Sequence, residues 1–440
     1  MAGFPERNER ASSMIWAIVG IFAVLAAFGI PIAYSLAVAI SVGLAMSANI
    51  PLFVMAHKMA TGIDSFVLLA VPLYILAGAL METGGMAARL VNLAMVMVGW
   101  VRGGLAMVVV AVEYLFSGLS GATVADVSAV GSMLIPSMVR AAYSRAYAVA
   151  VVSASSAMGM LVPPCINMVV AGAIANISVG ALFVGGFIPA IVLAVAILSL
   201  IYWHARKFGW KAEEGVTVGK VARASVQALV PLGMPIIIFG GILGGIVTPT
   251  EAGMLAVAYA LVVGVGIYRE IRLRQLYKIL LEAAITSGVI GMLVGIASVF
   301  AWMMAAQKIP EAILQGMLSL STSPFVFLIL SAFVFLIIGS FLEGLPAIVV
   351  LLPTMFPIVQ KLGIHPIHYV NVIIAAVGIG LFLPPIGLGM LIACSIAKID
   401  IGPAARALAP FLVMLMIGLL VVIIFPSITL VLPRLAGLTH

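Results

Sequence analysis

Apolar residues fall in long, nearly unbroken runs at about 14–30, 32–56, 65–81, 86–101, 104–118, 122–139, 143–161, 165–175 and 179–203. After a polar, basic segment at 204–223 they resume at 224–246, 249–268, 283–306, 310–321, 324–342, 344–361, 366–382, 386–398 and 403–432. Runs this long exceed the alternating strands of about 10 residues in a membrane barrel and match the roughly 20-residue helices that cross a bilayer. The predicted fold is an all-α polytopic membrane protein with on the order of a dozen helices. The first run follows a polar lead, Pro5 to Ser13, as a signal peptide would; it continues into further spans and is read as a retained first helix.

Some runs are too short to cross alone. Only Leu119, Ser120 and Gly121 separate 104–118 from 122–139, and the break at Glu343–Gly344 separates 324–342 from 344–361. Short apolar arms joined by a tight polar turn predict two re-entrant helical hairpins. Proline pairs at Pro163–Pro164 and Pro384–Pro385 predict two further interruptions. A Pro–Pro pair removes two backbone donors and excludes helix from the residue before it.

These features recur in order. Asp126 precedes Pro136 by ten residues, and Glu343 precedes Pro353 by ten. Pro353 follows Pro136 by 217 residues, and Pro384 follows Pro163 by 221. A repeated set of Gly/Pro-interrupted segments half a chain apart points to a secondary-transporter site at the midplane. Carbonyls freed at the breaks can coordinate a cation, and helix N-termini can hold an anion.

Composition strengthens the membrane assignment. The chain is 65% hydrophobic and 8% charged, against about 45–50% and about 25% in ordinary soluble domains. The net charge of +7 does not indicate nucleic acid, because the cations concentrate in two loops. One carries Arg206, Lys207, Lys211, Lys220 and Arg223, the other Arg269, Arg272, Arg274 and Lys278; both are predicted to be cytoplasmic. Cys165 and Cys394 lie in apolar sequence and are taken as packing residues. No transition-metal site, cofactor or enzymatic motif is expected: His-Glu-x-x-His and Gly-x-Ser-x-Gly are both missing.

Ionisable groups inside membrane segments usually mark a pathway, which selects Asp126 and Glu343. Glu251, after Thr248–Pro249–Thr250, is expected to cap a helix. Glu113 is open to two readings, a proton or cation group or part of a buried structural pair. Asn167 and Asn371 flank the breaks and are read as substrate contacts or packing residues. Arg102 and Arg140 are expected to snorkel, and His365 and His368 to be solvated in a loop.

Further motifs give these features a family likeness. They are Ser65–Phe66–Val67–Leu68–Leu69–Ala70–Val71–Pro72–Leu73, Ala77–Gly78–Ala79–Leu80–Met81, Ser120–Gly121 with Ala125–Asp126, and Gly131 with Ile135–Pro136. Gly159–Met160–Leu161–Val162–Pro163–Pro164, Ser178 to Phe183, Thr248–Pro249–Thr250–Glu251–Ala252, Pro346 to Pro357 and Gly378 to Gly387 complete the set. Over nearly the whole chain this resembles the large membrane (M) subunit of the tripartite ATP-independent periplasmic (TRAP) transporters.

The resemblance implies an inverted-repeat, elevator-type carrier in a bacterial inner membrane, with a fixed scaffold and a moving transport domain. It implies Na+-coupled uptake of a small organic acid such as a C4-dicarboxylate or sugar acid. A periplasmic substrate-binding protein and a small four-helix membrane subunit are the implied partners. The expected division is 1–85 scaffold, 86–203 first transport half, 204–306 cytoplasmic loops and scaffold, 307–400 second transport half, and 401–440 a C-terminal scaffold helix. Substrate and ion contacts are expected at Ser120, Gly121, Thr123, Asp126, Ser128, Pro163, Pro164 and Asn167 in the first half. In the second they are expected at Glu343, Gly344, Asn371, Gly378, Pro384, Pro385 and Gly387, with Na+ at the hairpin tips and breaks. The chain departs from the family pattern at Ala122, Cys165 and Leu383, each of which replaces a hydroxyl that could ligate a hard cation. Backbone carbonyls, Thr123, Ser128 and Asn371 are the candidate replacements. The alternative is a stand-alone ion-coupled anion carrier of related fold.

Overall fold

The computed structural model describes residues 17–18, 20–26, 28–46, 53–120, 123–210, 218–320 and 323–438, with the backbone alone at 118–120, 124–125, 218, 312 and 317–320. Every regular element described is helical. Among the described residues, eight helices are long and apolar enough to cross a membrane, Val179–Lys207 and Leu273–Ala306 being the longest. The run predicted at 32–56 contains two helices, Ile32–Met46 and Phe53–Ile63. The last run, 403–432, is also two: Ile401–Ile424 ends before Phe425, which stands ahead of Pro426 outside the helical region at φ −113° and ψ 83°, and Ser427–Leu435 follows. A residue preceding proline is pushed out of the helical region, which is why one apolar run yields two elements.

Several helix starts follow directly from local chemistry. Ser144 Oγ accepts from the Tyr147 N–H at 3.2 Å and Ser178 Oγ from the Ala181 N–H at 3.3 Å. At Pro249–Leu261, Thr248 and Glu251 form a capping box: Glu251 Oε2 accepts from the Thr248 N–H at 2.7 Å, while Thr248 Oγ1 accepts from the Glu251 N–H at 3.3 Å. Glu251 is thus a cap, as its position predicted. Thr248→Ala should lower stability by about 1 kcal/mol, measurable as a small fall in the unfolding midpoint in detergent.

The hairpin and break segments appear twice in the same order and nearly the same lengths. In the first half Gly104–Ser120, Thr123–Arg140, Arg145–Gly159 and Ile166–Ala175 measure 17, 18, 15 and 10 residues. In the second half Pro324–Phe341, Gly344–Lys361, Pro366–Gly380 and Leu388–Ala397 measure 18, 18, 15 and 10. Both proline pairs fall in the non-helical stretch between the last two members of each set. Each ten-residue arm ends on a non-glycine residue with positive φ, Asn176 at 53° and Lys398 at 52°.

Packing crosses between the halves. The first arm of each hairpin lies on the first arm of the broken helix in its own half, but the second arms are exchanged. Thr123–Arg140 packs against Leu388–Ala397, and Gly344–Lys361 packs against Ile166–Ala175. Because lipid offers apolar groups as good a solvent as a neighbouring helix does, small residues that allow close approach must drive this association. Arg145–Gly159 is buried throughout from Tyr147 to Gly159 and carries the run Ser153–Ala154–Ser155–Ser156–Ala157. Gly339 and Gly380 bring Pro324–Phe341 and Pro366–Gly380 into backbone contact: a Cβ on Gly339 would lie 2.9 Å from the Val377 carbonyl oxygen. Ile401–Ile424 packs against Arg145–Gly159 and Val179–Lys207, and so lies with the hairpin and break helices rather than apart from them.

Candidate functional site

The tip of the second hairpin sits on the first break. Gly344 has no side chain, and a Cβ there would meet the Met160 methyl and lie 3.3 Å from Asn167 Nδ2. Around this contact opens a cavity of about 330 Å³. One wall is formed by Thr123, at the start of the first hairpin's second arm, by Met160, Ile166 and Asn167 of the first break, and by Glu343 to Pro346. The facing wall belongs to two other helices: Gly78, Ala79 and Glu82 of Ala70–Thr83, and Glu282, Thr286 and Ile290 of Leu273–Ala306. The cavity therefore lies between the hairpin and break helices and a second group of spans.

Its lining is acidic: Glu82, Glu282 and Glu343 line it, Glu282 lying 3.6 Å from the Lys278 ammonium, and among the described residues no Lys, Arg or His lines it. Glu343 is the N-terminal flanking residue of Gly344–Lys361 but makes no side-chain capping bond. The positive end of the helix favours a carboxylate there, and Glu343 is among the residues that line the cavity. Polar neutral groups, Thr123, Asn167 and Thr286, supply oxygen and amide contacts.

Four of the predicted site residues thus meet at one place: Thr123, Asn167, Glu343 and Gly344. Asp126 is buried one turn further along the first hairpin. Ser128 is exposed and off the cavity. Pro163 and Pro164 are buried and shape the first break without lining the cavity. The side chain of Ser120, and Gly121 and Ala122 entirely, lie outside the described residues.

The other second-half residues are placed elsewhere. Asn371 is fully buried beside Gly185 and Gly186 and away from the cavity; its Nδ2 donates to the Ile367 carbonyl at 2.9 Å, while its Oδ1 has no hydrogen-bond partner among the described residues. Gly378 lets the two broken helices touch, since a Cβ there would lie 2.7 Å from the Ala157 carbonyl oxygen. Pro385 is exposed and Pro384 half-buried. Gly387 folds back on the break itself, against the Leu381 carbonyl. Of the two breaks, only the first reaches this cavity.

Glu82, Glu282 and Thr286 were not singled out from the sequence. A signal existed: Glu282 abuts the run predicted to start at 283, and the helix begins at Leu273, which puts the acid inside a long span. His368 corrects the expectation of a solvated loop residue. The helix begins at Pro366, so His368 enters its first turn and is buried, with Nδ1 2.9 Å from Thr429 Oγ1. Arg102 and Arg140 are exposed.

Comparison with known proteins agrees with this architecture. Residues 19–428 match the family model described as "Tripartite ATP-independent periplasmic transporter, DctM component". The chain is 35% identical to the C4-dicarboxylate TRAP transporter large permease protein DctM of Pseudomonas aeruginosa, over 88% of this chain and 90% of that one. It is 34% identical to the sialic acid TRAP transporter large permease protein SiaM of Vibrio cholerae, over 86% and 89%. It is also 35% identical to the isethionate TRAP transporter permease protein DctMQ of Oleidesulfovibrio alaskensis, of whose length it spans 60%. Among solved structures, the YdaH transporter of Alcanivorax borkumensis superposes with a TM-score of 0.58 at 14% identity, covering 84% of this chain and 86% of that one. The Neisseria gonorrhoeae MtrF structure gives 0.60 at 16%, covering 84% and 83%, and these two likenesses speak to the fold alone. With most of its length matched by the family model and by permeases at this identity, the chain belongs to the DctM component family of the tripartite ATP-independent periplasmic transporters.

Proposed function

We propose that this chain is the membrane permease of a binding-protein-dependent transporter that couples Na+ entry to uptake of a small organic acid by an elevator-type movement. The observation that carries the reading is the cavity between two groups of helices, lined by three carboxylates, of which Glu282 alone has a cation near it (Lys278 at 3.6 Å), and among the described residues by no Lys, Arg or His. An organic anion entering alone would be repelled by those acids. Bound cations would neutralise them and make room for it, so anion and cation enter together.

The other parts follow from the packing. The matching helix lengths and exchanged second arms support two halves related by inverted symmetry. The residues that open the second arms, Thr123 on one side and Gly344–Leu345 on the other, are buried. This supports re-entrant hairpins, because non-helical backbone at membrane depth is tolerated only against protein or a cavity. The mobile body would comprise the hairpins, the broken helices and Ile401–Ile424, which packs among them. Ala70–Thr83 and Leu273–Ala306 would stay fixed, with the cavity as the sliding seam. Na+ would take carbonyl oxygens freed at the breaks together with Thr123, since Cys165 and Leu383 offer no hydroxyl. The relatives' names specify a C4-dicarboxylate, sialic acid and isethionate, so the substrate class here is a small organic acid. A small four-helix membrane subunit and a soluble periplasmic binding protein complete the machine in the bacterial inner membrane.

Reconstitution of the chain with its small subunit in liposomes tests this. With binding protein present, an inward Na+ gradient should drive accumulation of one acid from a panel of succinate, sialic acid and isethionate. Accumulation with no binding protein present would instead identify a stand-alone carrier.

A further inference from the structure

Glu113 lies outside the cavity, in the first arm of the first hairpin, and has no exposed surface. Its carboxylate accepts from Ser117 Oγ at 2.9 Å on its own helix and from Ser156 Oγ across the interface to Arg145–Gly159. Gly159, the last residue of that helix before the break, packs on the Ser117 side chain, and its Cβ position lies 3.6 Å from Glu113 Oε2. The acid thus ties the hairpin to the point where the neighbouring helix stops.

No positive charge balances it among the described residues. The helices packed on Gly104–Ser120 are Ala70–Thr83, Met86–Val98, Thr123–Arg140, Arg145–Gly159 and Val179–Lys207. Their cations are engaged elsewhere: Arg89 with Glu270, Arg140 with Ser137, Arg145 with the Ala397 carbonyl, and Arg206 and Lys207 over Tyr202 and Trp203. His204 meets the Tyr147 ring edge-on, and Tyr74 donates to the Pro249 carbonyl. Tyr114, beside Glu113 on its own helix, contacts the Phe187 carbonyl. Glu82 faces the cavity, and Asp126, buried on the second arm of the same hairpin, is a second acid rather than a cation.

A buried carboxylate in this setting must be neutralised by something it binds. A proton needs only one acceptor lone pair, which a carboxylate that accepts two hydrogen bonds still has. The second half has no equivalent. The position 217 residues on is Leu330, and there the corresponding helices are joined by the neutral pair Ser331 and Tyr369, at 2.6 Å.

We propose that Glu113 is a proton-binding site, loaded from one side of the membrane and emptied to the other, so that one H+ travels with the substrate alongside Na+. The step is simple: the carboxylate takes a proton from water on the outer side to give a neutral carboxyl, and returns it to water on the inner side. It rests on the transporter reading above, and its test can be kept separate.

The direct test is infrared difference spectroscopy on the intact chain with its small subunit in Na+-free liposomes, titrated with acid and base. A carboxyl C=O band should appear as pH falls and be absent from Glu113→Gln. In Ser156→Ala, which keeps the acid but removes one hydroxyl, the band should move to higher frequency. In the uptake assay, acidifying the outside should raise accumulation several-fold in the wild type and leave Glu113→Gln unresponsive. Identical spectra in wild type and Glu113→Gln, or a full response to the pH gradient in that variant, would overturn the proposal. A titrating band in a protein that transports none of the acids would leave the site standing and remove the transporter reading.

Discussion

Gly380→Ala is expected to destabilise the protein by about 3 kcal/mol or more, the upper end of what overpacking costs. A Cβ there would collide with the Leu336 carbonyl oxygen and lie 3.0 Å from the Leu336 carbonyl carbon and 3.2 Å from that of Gly339. These are backbone atoms, which cannot swing aside as the end of a side chain can. Gly339 faces Val377 in the same interface, so the two helices would have to separate along the contact. The unfolding midpoint and the fraction eluting as a single species in detergent report this. Gly288→Ala, on Leu273–Ala306 where no atom lies within 4 Å of the new methyl, should be nearly silent. Equal behaviour of the two variants would mean that the helices at Gly380 are not in close contact.

Glu343→Gln should raise the Na+ concentration that half-saturates uptake by roughly tenfold or more, equivalent to about 1.4 kcal/mol. A unit charge about 4 Å from a bound cation contributes up to about 4 kcal/mol at an effective dielectric constant of about 20, part of which is offset by desolvation. The tenfold figure therefore asks for less than half of the available attraction. Glu251→Gln, which alters a capping box away from the cavity, should leave the Na+ dependence unchanged. An unaltered Na+ dependence in Glu343→Gln would remove Glu343 from the cation site.

Much of the architecture was legible because membrane burial and proline act locally. The hairpin arms predicted at 104–118, 122–139, 324–342 and 344–361 correspond to Gly104–Ser120, Thr123–Arg140, Pro324–Phe341 and Gly344–Lys361. The proline pairs lie in the non-helical stretches between helices, where loss of an N–H donor needs no tertiary context. What lay beyond reach depended on which helix faces which. Glu82 and Glu282 matter because two distant spans turn them toward the second hairpin's tip, and no run of apolar residues encodes that orientation. Asn371 and Pro385 carry the same residue types as real cavity residues, yet one is locked against Gly185 and the other faces outward. The repeat suggested two equivalent breaks, whereas packing brings only the first to the cavity. His368 was misplaced because the helix boundary at Pro366 decides whether it is in a loop or a core.

The exchange of second arms has a consequence for how this fold can be cut. Thr123–Arg140 finds its partner in Leu388–Ala397, and Gly344–Lys361 finds its own in Ile166–Ala175. Neither half can close its own interior, so the two are interlocked like clasped hands. Severing the chain in the polar segment 211–217 leaves both grips intact, whereas deleting either half leaves the other with an open palm. Fragments divided there and produced together should reassemble, and each produced alone should not.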